Sequence, residues 1–162
     1  MVEQQQQAGV AVRQSVVVDA PPDRAFTVFT DGMSSWWPMD GYSIGSGPMA
    51  DAVIEPREGG RWYERAEDGS ETEWGRVLAW DPPDRVVLAW QITPEWKFDA
   101  GLHTEVEVRF TAEDDVRTRV DLEHRKLENY GELAEQMRAI FGGSDGGGWG
   151  GLLRRFADAA GR

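Results

Sequence analysis

The sequence predicts a single α+β domain in which a meander of antiparallel strands is covered by a C-terminal amphipathic helix. The first observation is a series of short segments of strand character, several of them joined by turn-rich connections. The second is a stripe of apolar residues at helical spacing near the end of the chain. The third is the length, because 162 residues suffice for one ordinary domain with a sizeable core.

The N-terminal part divides into a tail, a first strand and a short helix. Residues 1–9 are polar and low in complexity, which predicts a disordered tail ahead of a single domain over residues 10–162. Apolar and polar positions alternate over residues 12–18, and this period of two predicts a β-strand. A helix should follow, because two prolines suit a first helical turn and Phe26 and Phe29 recur at helical spacing.

A long loop and six further strands are predicted next. Residues 34–51 contain Trp36, Trp37, prolines and glycines without a sustained period, and long loops in compact domains are often functional. The strands are expected at residues 51–56, 60–67, 72–80, 85–93, 103–112 and 116–124. Three of the connections are short and rich in Asp, Gly, Pro or Ser, so successive strands should pair as antiparallel neighbours.

The last two strands each show an apolar and a polar face. Val106 and Val108 alternate with charged residues in one strand, and Leu122 and His124 do so in the next. Such alternation is typical of a sheet with one face in water and the other covered. The cover is predicted to be a C-terminal helix with an apolar stripe formed by Trp149, Leu152, Leu153, Phe156 and Ala160.

Glycine-rich segments flank the predicted helices and produce two short motifs. A further amphipathic helix is expected over residues 130–141, and the glycines of residues 142–151 predict a flexible joint after it. Residues 146–151 satisfy the G-x-G-x-x-G pattern, but no strand precedes them, so a dinucleotide site is not predicted. Residues 41–45 match the G-x-S-x-G pattern of a hydrolase, yet they lack the strand before and the helix after that a nucleophile elbow requires.

Composition excludes several kinds of partner. The net charge of -12 repels phosphate backbones and anionic lipids, so neither nucleic acid nor a membrane is an expected partner. No apolar run approaches the roughly 20 residues of a membrane-spanning helix, and residues 1–7 lack the layout of a secretory signal, so a cytoplasmic location is predicted. With no Cys and only two His, we predict no bound metal and no cofactor.

Four stretches carry a resemblance to a known family. They are Val16-Val-Val-Asp-Ala-Pro-Pro-Asp-Arg-Ala-Phe26, Gly59-Gly-Arg-Trp-Tyr63, Gly75-Arg-Val-Leu-Ala-Trp-Asp-Pro-Pro-Asp-Arg-Val-Val-Leu-Ala-Trp90 and Gly148-Trp149. The chain resembles the START-like SRPBCC superfamily over about residues 12–160. Within it, the chain is similar to the branch named after the activator of the ninety-kilodalton heat-shock protein ATPase.

This resemblance implies a helix-grip fold of the START-like and Bet v-like kind, with a curved antiparallel sheet wrapped around a long C-terminal helix. Between the two, relatives hold an apolar cavity that takes lipids, hormones, polyketides or other apolar molecules. Family membership does not name the ligand. The sequence begins almost directly at the shared domain, so the additional N-terminal chaperone-binding domain of the eukaryotic activator is not expected.

Aromatic residues of the middle strands predict the cavity walls. If alternation holds, Trp62, Glu64, Trp74, Arg76 and Trp90 share one face, where Glu64 and Arg76 could form a pair. The chain has eight Trp, which are bulky for the core of a small domain, and aromatic walls with few polar groups are typical of ligand pockets. A packed core with a surface ion pair is the alternative.

His124 has three interpretations, which are a satisfied core histidine, a polar anchor in the cavity and an acid/base group. A core or anchor role is favoured, and no catalytic residue is predicted. The ligand-binding residues predicted from the sequence and the resemblance are Trp36, Trp37, Trp62, Glu64, Trp74, Arg76, Trp90, Val106, Val108, Leu122, His124, Trp149 and Leu153.

Three functions follow as hypotheses. The favoured one is a binding module that holds a hydrophobic or aromatic small molecule, with Arg76, Glu64 or His124 orienting its polar end. The second is an enzyme similar to polyketide cyclases and aromatases, which use the same cavity for ring closure. The third is an interaction protein that stimulates a chaperone ATPase, with the chaperone as partner. A homodimer formed through an edge strand is a further alternative, because the sequence does not determine the oligomeric state.

Overall fold

The computed structural model describes residues 10–39, 42–45, 47–143 and 148–161. The predicted tail over residues 1–9 lies outside the described residues, as does the middle of the predicted glycine joint. The elements in chain order are β1 Val12–Val18, α1 Pro22–Thr30, a 3-10 turn Met33–Ser35, β2 Met49–Ile54, β3 Arg61–Ala66, β4 Glu71–Asp81, β5 Arg85–Trp90, β6 Thr104–Ala112, β7 Thr118–Arg125, a 3-10 segment Leu127–Leu133, α2 Ala134–Phe141 and α3 Trp149–Ala160.

The strands form one antiparallel sheet of seven in the order β1-β7-β6-β5-β4-β3-β2. From β2 to β7 each strand pairs with the next along the chain, as the short connections predict. The first strand instead joins the far side, where Val12 lies opposite His124 and Val18 opposite Thr118. The sheet is therefore the curved meander of a helix-grip fold, and this prediction is confirmed.

The two faces of the sheet differ in chemistry, which follows from the period-two pattern. Val106, Val108 and Leu122 are buried on the inner face. On the outer face, Glu107 contacts Arg85, Arg109 and Arg125 at 2.6 to 3.0 Å. The outer face is thus covered by a ladder of ion pairs, while the inner face receives the helices.

A β-bulge in β4 interrupts the alternation of the middle strands. Trp62 pairs with Gly75 and Tyr63 with Glu73, so the intervening Trp74 has no partner in β3. Gly75 suits this point because a Cβ there would lie 1.7 Å from the backbone oxygen of Ala89. The bulge therefore depends on a close backbone approach that only glycine permits.

The bulge corrects the predicted shared face at Arg76. One residue beyond the bulge the strand is out of phase with its start, so Arg76 is exposed and lies opposite Arg61 on the outer face. Glu64 is 1% exposed on the inner face. The expected pair between Glu64 and Arg76 is therefore wrong, because the two side chains are on opposite sides of the sheet.

Helix α3 packs its apolar side against β1 and α1. The Phe156 ring meets those of Phe29 and Trp36 at centroid distances of 5.2 and 5.6 Å. Two arginines fasten the helix, since Arg155 donates to the backbone oxygen of Trp36 and Arg24 to that of Ala160. Helix α2 and the 3-10 segment cover the other end of the sheet, where the Tyr130 hydroxyl donates to the backbone oxygen of Ile92.

Candidate functional site

A cavity of about 420 Å³ opens beside the middle strands. This is within the size range of roughly 300 to 1,000 Å³ that small-molecule sites occupy. Three of the predicted tryptophans line it, Trp37, Trp74 and Trp90. Sequence analysis missed its other lining residues, which are Tyr42, Ser43, Ile44, Ile92, Trp96 and Ile140.

Two further hollows adjoin this cavity. A narrow one of about 60 Å³ extends from Trp37 and Trp90 towards Trp149 and Phe141. An open cleft of about 880 Å³ lies on the other side of Trp37, between the loop after α1 and the exposed side of α3. Trp37 and Tyr42 line all three hollows. They therefore separate the apolar interior cavity from the polar surface cleft.

Five tryptophans form a closed set of edge or tilted contacts behind the cavity, called here the tryptophan cluster. Neighbouring rings in the cluster have centroids 5.1 to 6.1 Å apart, in the order Trp37, Trp74, Trp62, Trp90 and Trp149 and back to Trp37. Such offset contacts are the favoured geometry of aromatic pairs. The argument that tryptophans are too bulky for this core is therefore wrong in part, since most of them pack against one another.

Several predicted site residues lie in the packed core and line none of the three hollows around Trp37. Trp36 packs on Phe29 and Phe156, and its Nε1 donates to the backbone oxygen of Val28. Trp62 is completely buried. The other members of this group are Val106, Val108, Leu122 and Leu153, each at most 2% exposed. Their binding roles stay predictions, and none of these side chains lines the cavity of about 420 Å³.

His124 is completely buried and is bonded through both ring nitrogens. Trp149 Nε1 lies 3.1 Å from His124 Nδ1, and Thr104 Oγ1 lies 3.0 Å from Nε2. The Thr104 hydroxyl donates to the backbone oxygen of Trp90 at 2.8 Å, so it can only accept from the histidine. This chain assigns the proton to Nε2 and leaves Nδ1 to accept the indole N–H.

Burial determines the charge of His124. Desolvation lowers its pKa from 6.5 to about 3, because a charged imidazole has no water around it here. The Phe141 ring packs against the imidazole at a tilt of 35°, with the two ring centroids 4.4 Å apart. His124 is thus a neutral core histidine with satisfied hydrogen bonds, one of the three interpretations that its position allows.

Glu64 is a buried carboxylate next to the cavity. It accepts hydrogen bonds from the Ile44 N–H at 2.8 Å, from Trp74 Nε1 at 2.9 Å and from the Gly45 N–H at 3.2 Å. The Ser43 hydroxyl donates to it at 2.5 Å. Four donors therefore replace the water that burial removes. Glu64 thereby fastens the loop of residues 42–45 to the middle of β3.

The loop of residues 42–45 approaches Glu64 so closely that side-chain size matters. A Cβ on Gly45 would lie 2.9 Å from both Glu64 Oε2 and Thr72 Oγ1. The G-x-S-x-G pattern places Ser43 in this loop, with Gly41 outside the described residues. No strand leads directly into Ser43 within residues 42–45, so the loop is no nucleophile elbow. The pattern instead marks a loop that serves as one wall of the cavity.

Two buried indole N–H groups in the walls have no hydrogen-bond partner in the described structure, Trp37 Nε1 and Trp90 Nε1. The Trp90 indole lies near the Tyr130 hydroxyl without forming a normal hydrogen bond to it. Burial raises the pKa of Tyr130, and the neighbouring Trp90 and Thr104 side chains lower it. Trp37 is only 4% exposed, and its Nε1 is enclosed by protein rather than open to the cavity.

Trp96 stands at the mouth of the cavity. It is 43% exposed although it lines the cavity, and its backbone adopts a left-handed conformation with φ of 62°. Such a conformation is strained for a bulky residue, and strained residues cluster at functional sites. Periodicity offers no signal for this residue, since it lies in the irregular connection between β5 and β6.

Among the described residues, no helix is long and apolar enough to cross a membrane. The same residues contain no group of three or more His, Cys, Asp or Glu that could hold a metal ion. The chemistry available at the cavity consists of aromatic surface and the side chains of Tyr42 and Ser43, of which Ser43 donates to the buried Glu64.

These features define a helix-grip protein with an aromatic-walled cavity. The chain belongs to the family described as "Activator of Hsp90 ATPase homolog 1-like protein" (AHSA1), whose model matches residues 19–161. The family prediction is therefore confirmed. No curated protein matches the chain.

Solved structures agree with this assignment. One is an anthrahydroquino-γ-pyrone synthase, Txn09, which is 38% identical with a TM-score of 0.64, over 91% of this chain and 95% of that one. Another is CalC, a self-sacrificing resistance protein from Micromonospora echinospora, 33% identical with a TM-score of 0.67, over 93% of each chain. An Aha1 dimer from Colwellia psychrerythraea is 16% identical with a TM-score of 0.58, covers 93% of this chain and 95% of its own, and shows the fold alone.

Proposed function

We propose that this protein binds a flat aromatic small molecule in the cavity between the middle strands, the loop of residues 42–45 and α2. The observation that carries the proposal is a cavity of about 420 Å³ whose walls include four indole rings, those of Trp37, Trp74, Trp90 and Trp96. A rigid aromatic ligand would cover these walls at little entropic cost. The similarity to a synthase named for a fused aromatic product supports the same ligand class.

Calorimetric titration tests this proposal with apolar aromatic probes of three or four fused rings. We expect saturable binding of one probe per chain. The cavity-filling variant Ile140→Trp should abolish it, because Ile140 lines both interior hollows and is only half-buried. The matched control Leu133→Trp, at a position 36% exposed, should bind normally. Equal binding by both variants would contradict the cavity as the site.

The second candidate function is catalysis of ring closure, as in polyketide cyclases. The observation that favours it is the 38% identity with the synthase over almost the whole chain. A catalyst turns over many equivalents of substrate, whereas a binding protein retains one. Incubation of open-chain polyketide precursors with substoichiometric protein, followed by chromatography and mass spectrometry, separates the two functions.

The third candidate, stimulation of a chaperone ATPase, is supported by the family description alone. An ATPase assay of the heat-shock protein with and without this chain tests it directly. A homodimer and a cytoplasmic location stay predictions. Light scattering during size-exclusion chromatography measures the assembly, and a chain that elutes as a monomer would remove the dimer.

A further inference from the structure

We propose that the narrow hollow beside the cavity is a subsite for a short apolar branch on the bound arene, a methyl or an ethyl group. The ligand class is then an alkyl-substituted polycyclic arene, and the branch fixes its orientation in the cavity. This inference rests on the proposed binding function and names the chemical class of the ligand.

The hollow shares most of its walls with the cavity. The residues that line both are Trp37, Tyr42, Trp90, Trp96 and Ile140. Trp37 and Trp90 turn no polar atom into the hollow, because their indole nitrogens are enclosed by protein. A ring system that covers these indoles lies next to the hollow, so a substituent on that ring system can enter it.

The far end of the hollow is apolar. Phe141, Trp149 and Leu152 line the hollow without lining the cavity. Trp149 alone of these three has a polar side-chain atom, and this Nε1 already donates to His124 Nδ1 at 3.1 Å. A polar substituent would lose its water at this end without gaining a side-chain partner. The subsite should therefore select an alkyl group over a hydroxylated one.

The volume of the hollow limits the length of the branch. The hollow measures about 60 Å³, and a group of the size of water or methyl takes up about 30 Å³. Roughly two such groups fit, which is the size of an ethyl group. Apolar spaces of this kind in proteins stay dry and accept apolar groups. Methyl and ethyl should therefore enter the hollow, whereas a tert-butyl group should not.

A series of fluorenes tests the subsite, with hydrogen, methyl, ethyl, hydroxymethyl or tert-butyl at one end of the long axis. In calorimetric titrations the methyl compound should bind the unmodified protein about fourfold more tightly than fluorene, the gain of one buried methyl group. The ethyl compound should bind at least as tightly as the methyl compound. The hydroxymethyl compound has the size of the ethyl compound and should lose the gain. The tert-butyl compound should bind no more tightly than fluorene, because its branch must point away from the hollow.

Leu152→Ala enlarges the subsite, and Leu153→Ala is its matched control. Both leucines are buried in α3, but only Leu152 lines the hollow. In Leu152→Ala the tert-butyl compound should bind at least about fourfold more tightly than fluorene, because its branch now fits. In Leu153→Ala the order of the series should match that of the unmodified protein. Ratios within one variant cancel any general loss of stability.

Leu152→Val is a milder change that keeps the test available if Leu152→Ala does not fold. It should move the tert-butyl compound in the same direction by a smaller factor, because it removes less of the wall.

The outcomes separate this inference from the function on which it rests. If fluorene binds and no branch or Leu152 variant changes the affinity, the subsite is overturned and the cavity stays the binding site. Affinity that keeps rising through tert-butyl in the unmodified protein would also overturn the subsite, because the branch would then lie in open space. Equal shifts in Leu152→Ala and Leu153→Ala would contradict the assignment to the hollow. If none of the fluorenes binds the unmodified protein, the binding function fails and the subsite fails with it.

Discussion

His124 holds a polar ring inside the sheet because every hydrogen-bonding atom on it has a partner. The chain from Trp149 through His124 and Thr104 to the Trp90 oxygen links α3 to three neighbouring strands. Protonation would destroy it, since Nδ1 would then face the indole N–H as a second donor. The cost of that protonation makes the residue a measure of pH-dependent stability.

We predict that the free energy of unfolding falls by about 2 kcal/mol between about pH 7 and pH 5 through His124 alone. Its pKa is about 3 when folded and 6.5 otherwise, so the unfolded chain takes up the proton first. This contribution is fully present above the unfolded value and is lost as the pH falls towards the folded one. Urea unfolding across this range should show the slope, which His124→Gln should remove.

His103 is the control for that measurement. It is exposed and pairs with Glu105 on the outer face. His103→Gln should therefore retain a loss of about 2 kcal/mol. If the free energy of unfolding of the wild-type protein varied as little with pH as that of His124→Gln, His124 would have to be in contact with water and not desolvated.

Trp96 should contribute to ligand affinity and little to stability. Trp96→Ala should weaken binding of an aromatic probe about tenfold, because an aromatic contact at the mouth is lost. The melting temperature should stay level, since the side chain is 43% exposed and its left-handed backbone is strained. Calorimetric titration and thermal melts measure the two effects, with Trp96→Tyr as the conservative control. A large drop in melting temperature with unchanged affinity would assign Trp96 to the core.

At the scale of elements, the ladder on the outer face converges on Glu107. Burial alone would raise the Glu107 pKa, but Arg85, Arg125 and Arg109 together lower it. Its stabilising effect is therefore present above the ordinary pKa of 4.5 and is lost as the pH falls through the lower folded value. Three arginines on one carboxylate make a network rather than an isolated surface pair.

Replacing Glu107 should destabilise the sheet more than replacing an exposed carboxylate. We expect Glu107→Gln to lower the free energy of unfolding by about 1 to 2 kcal/mol, because three arginines lose one charged acceptor. Glu135→Gln, which removes an exposed pair with Arg138 in α2, should have a much smaller effect. Chemical unfolding at low and high salt measures both. If both variants lost equally little, the ion pairs of the outer face would add nothing measurable to the free energy of unfolding.

Strand order and faces were predictable because a period of two is a local property of the sequence. β1, β6 and β7 show it without interruption, and the predicted buried residues on β6 and β7 are buried. Arg76 was misplaced because the bulge depends on the approach of Gly75 to the neighbouring Ala89, which lies 14 positions further along the chain. One inserted residue reverses the side chains that follow, here until a second register shift between Val77 and Ala79.

The cavity itself was only half predictable. Trp37, Trp74 and Trp90 follow from aromatic content and strand faces, whereas Ser43 and Trp96 lie in loops without a period. A glycine on each side of Ser43, together with an acidic residue on the inner face of β3, was the available signal for the loop. Whether a tryptophan packs in the core or faces a cavity depends on the three-dimensional fit of its neighbours, which spacing does not encode.

For the whole molecule, ligand binding and stability should be coupled. A probe at about 100 times its dissociation constant should add about 2.7 kcal/mol to the free energy of unfolding, because it binds the folded state alone. In a chain of this size the melting temperature should then rise by about 5 to 10 °C. Scanning calorimetry measures the rise, and Ile140→Trp should show none. A similar rise in that variant would place the bound probe elsewhere.

The closed arrangement of the tryptophan cluster also has an optical consequence. Its five indoles follow one another at 5.1 to 6.1 Å, a separation at which their electronic transitions couple and excitation migrates from ring to ring. The cluster should therefore behave as one chromophore, with a strong near-ultraviolet circular dichroism signal. A molecule that absorbs in the near ultraviolet and enters beside Trp37 or Trp90 would drain the excitation of all five rings, including Trp62, which it never touches.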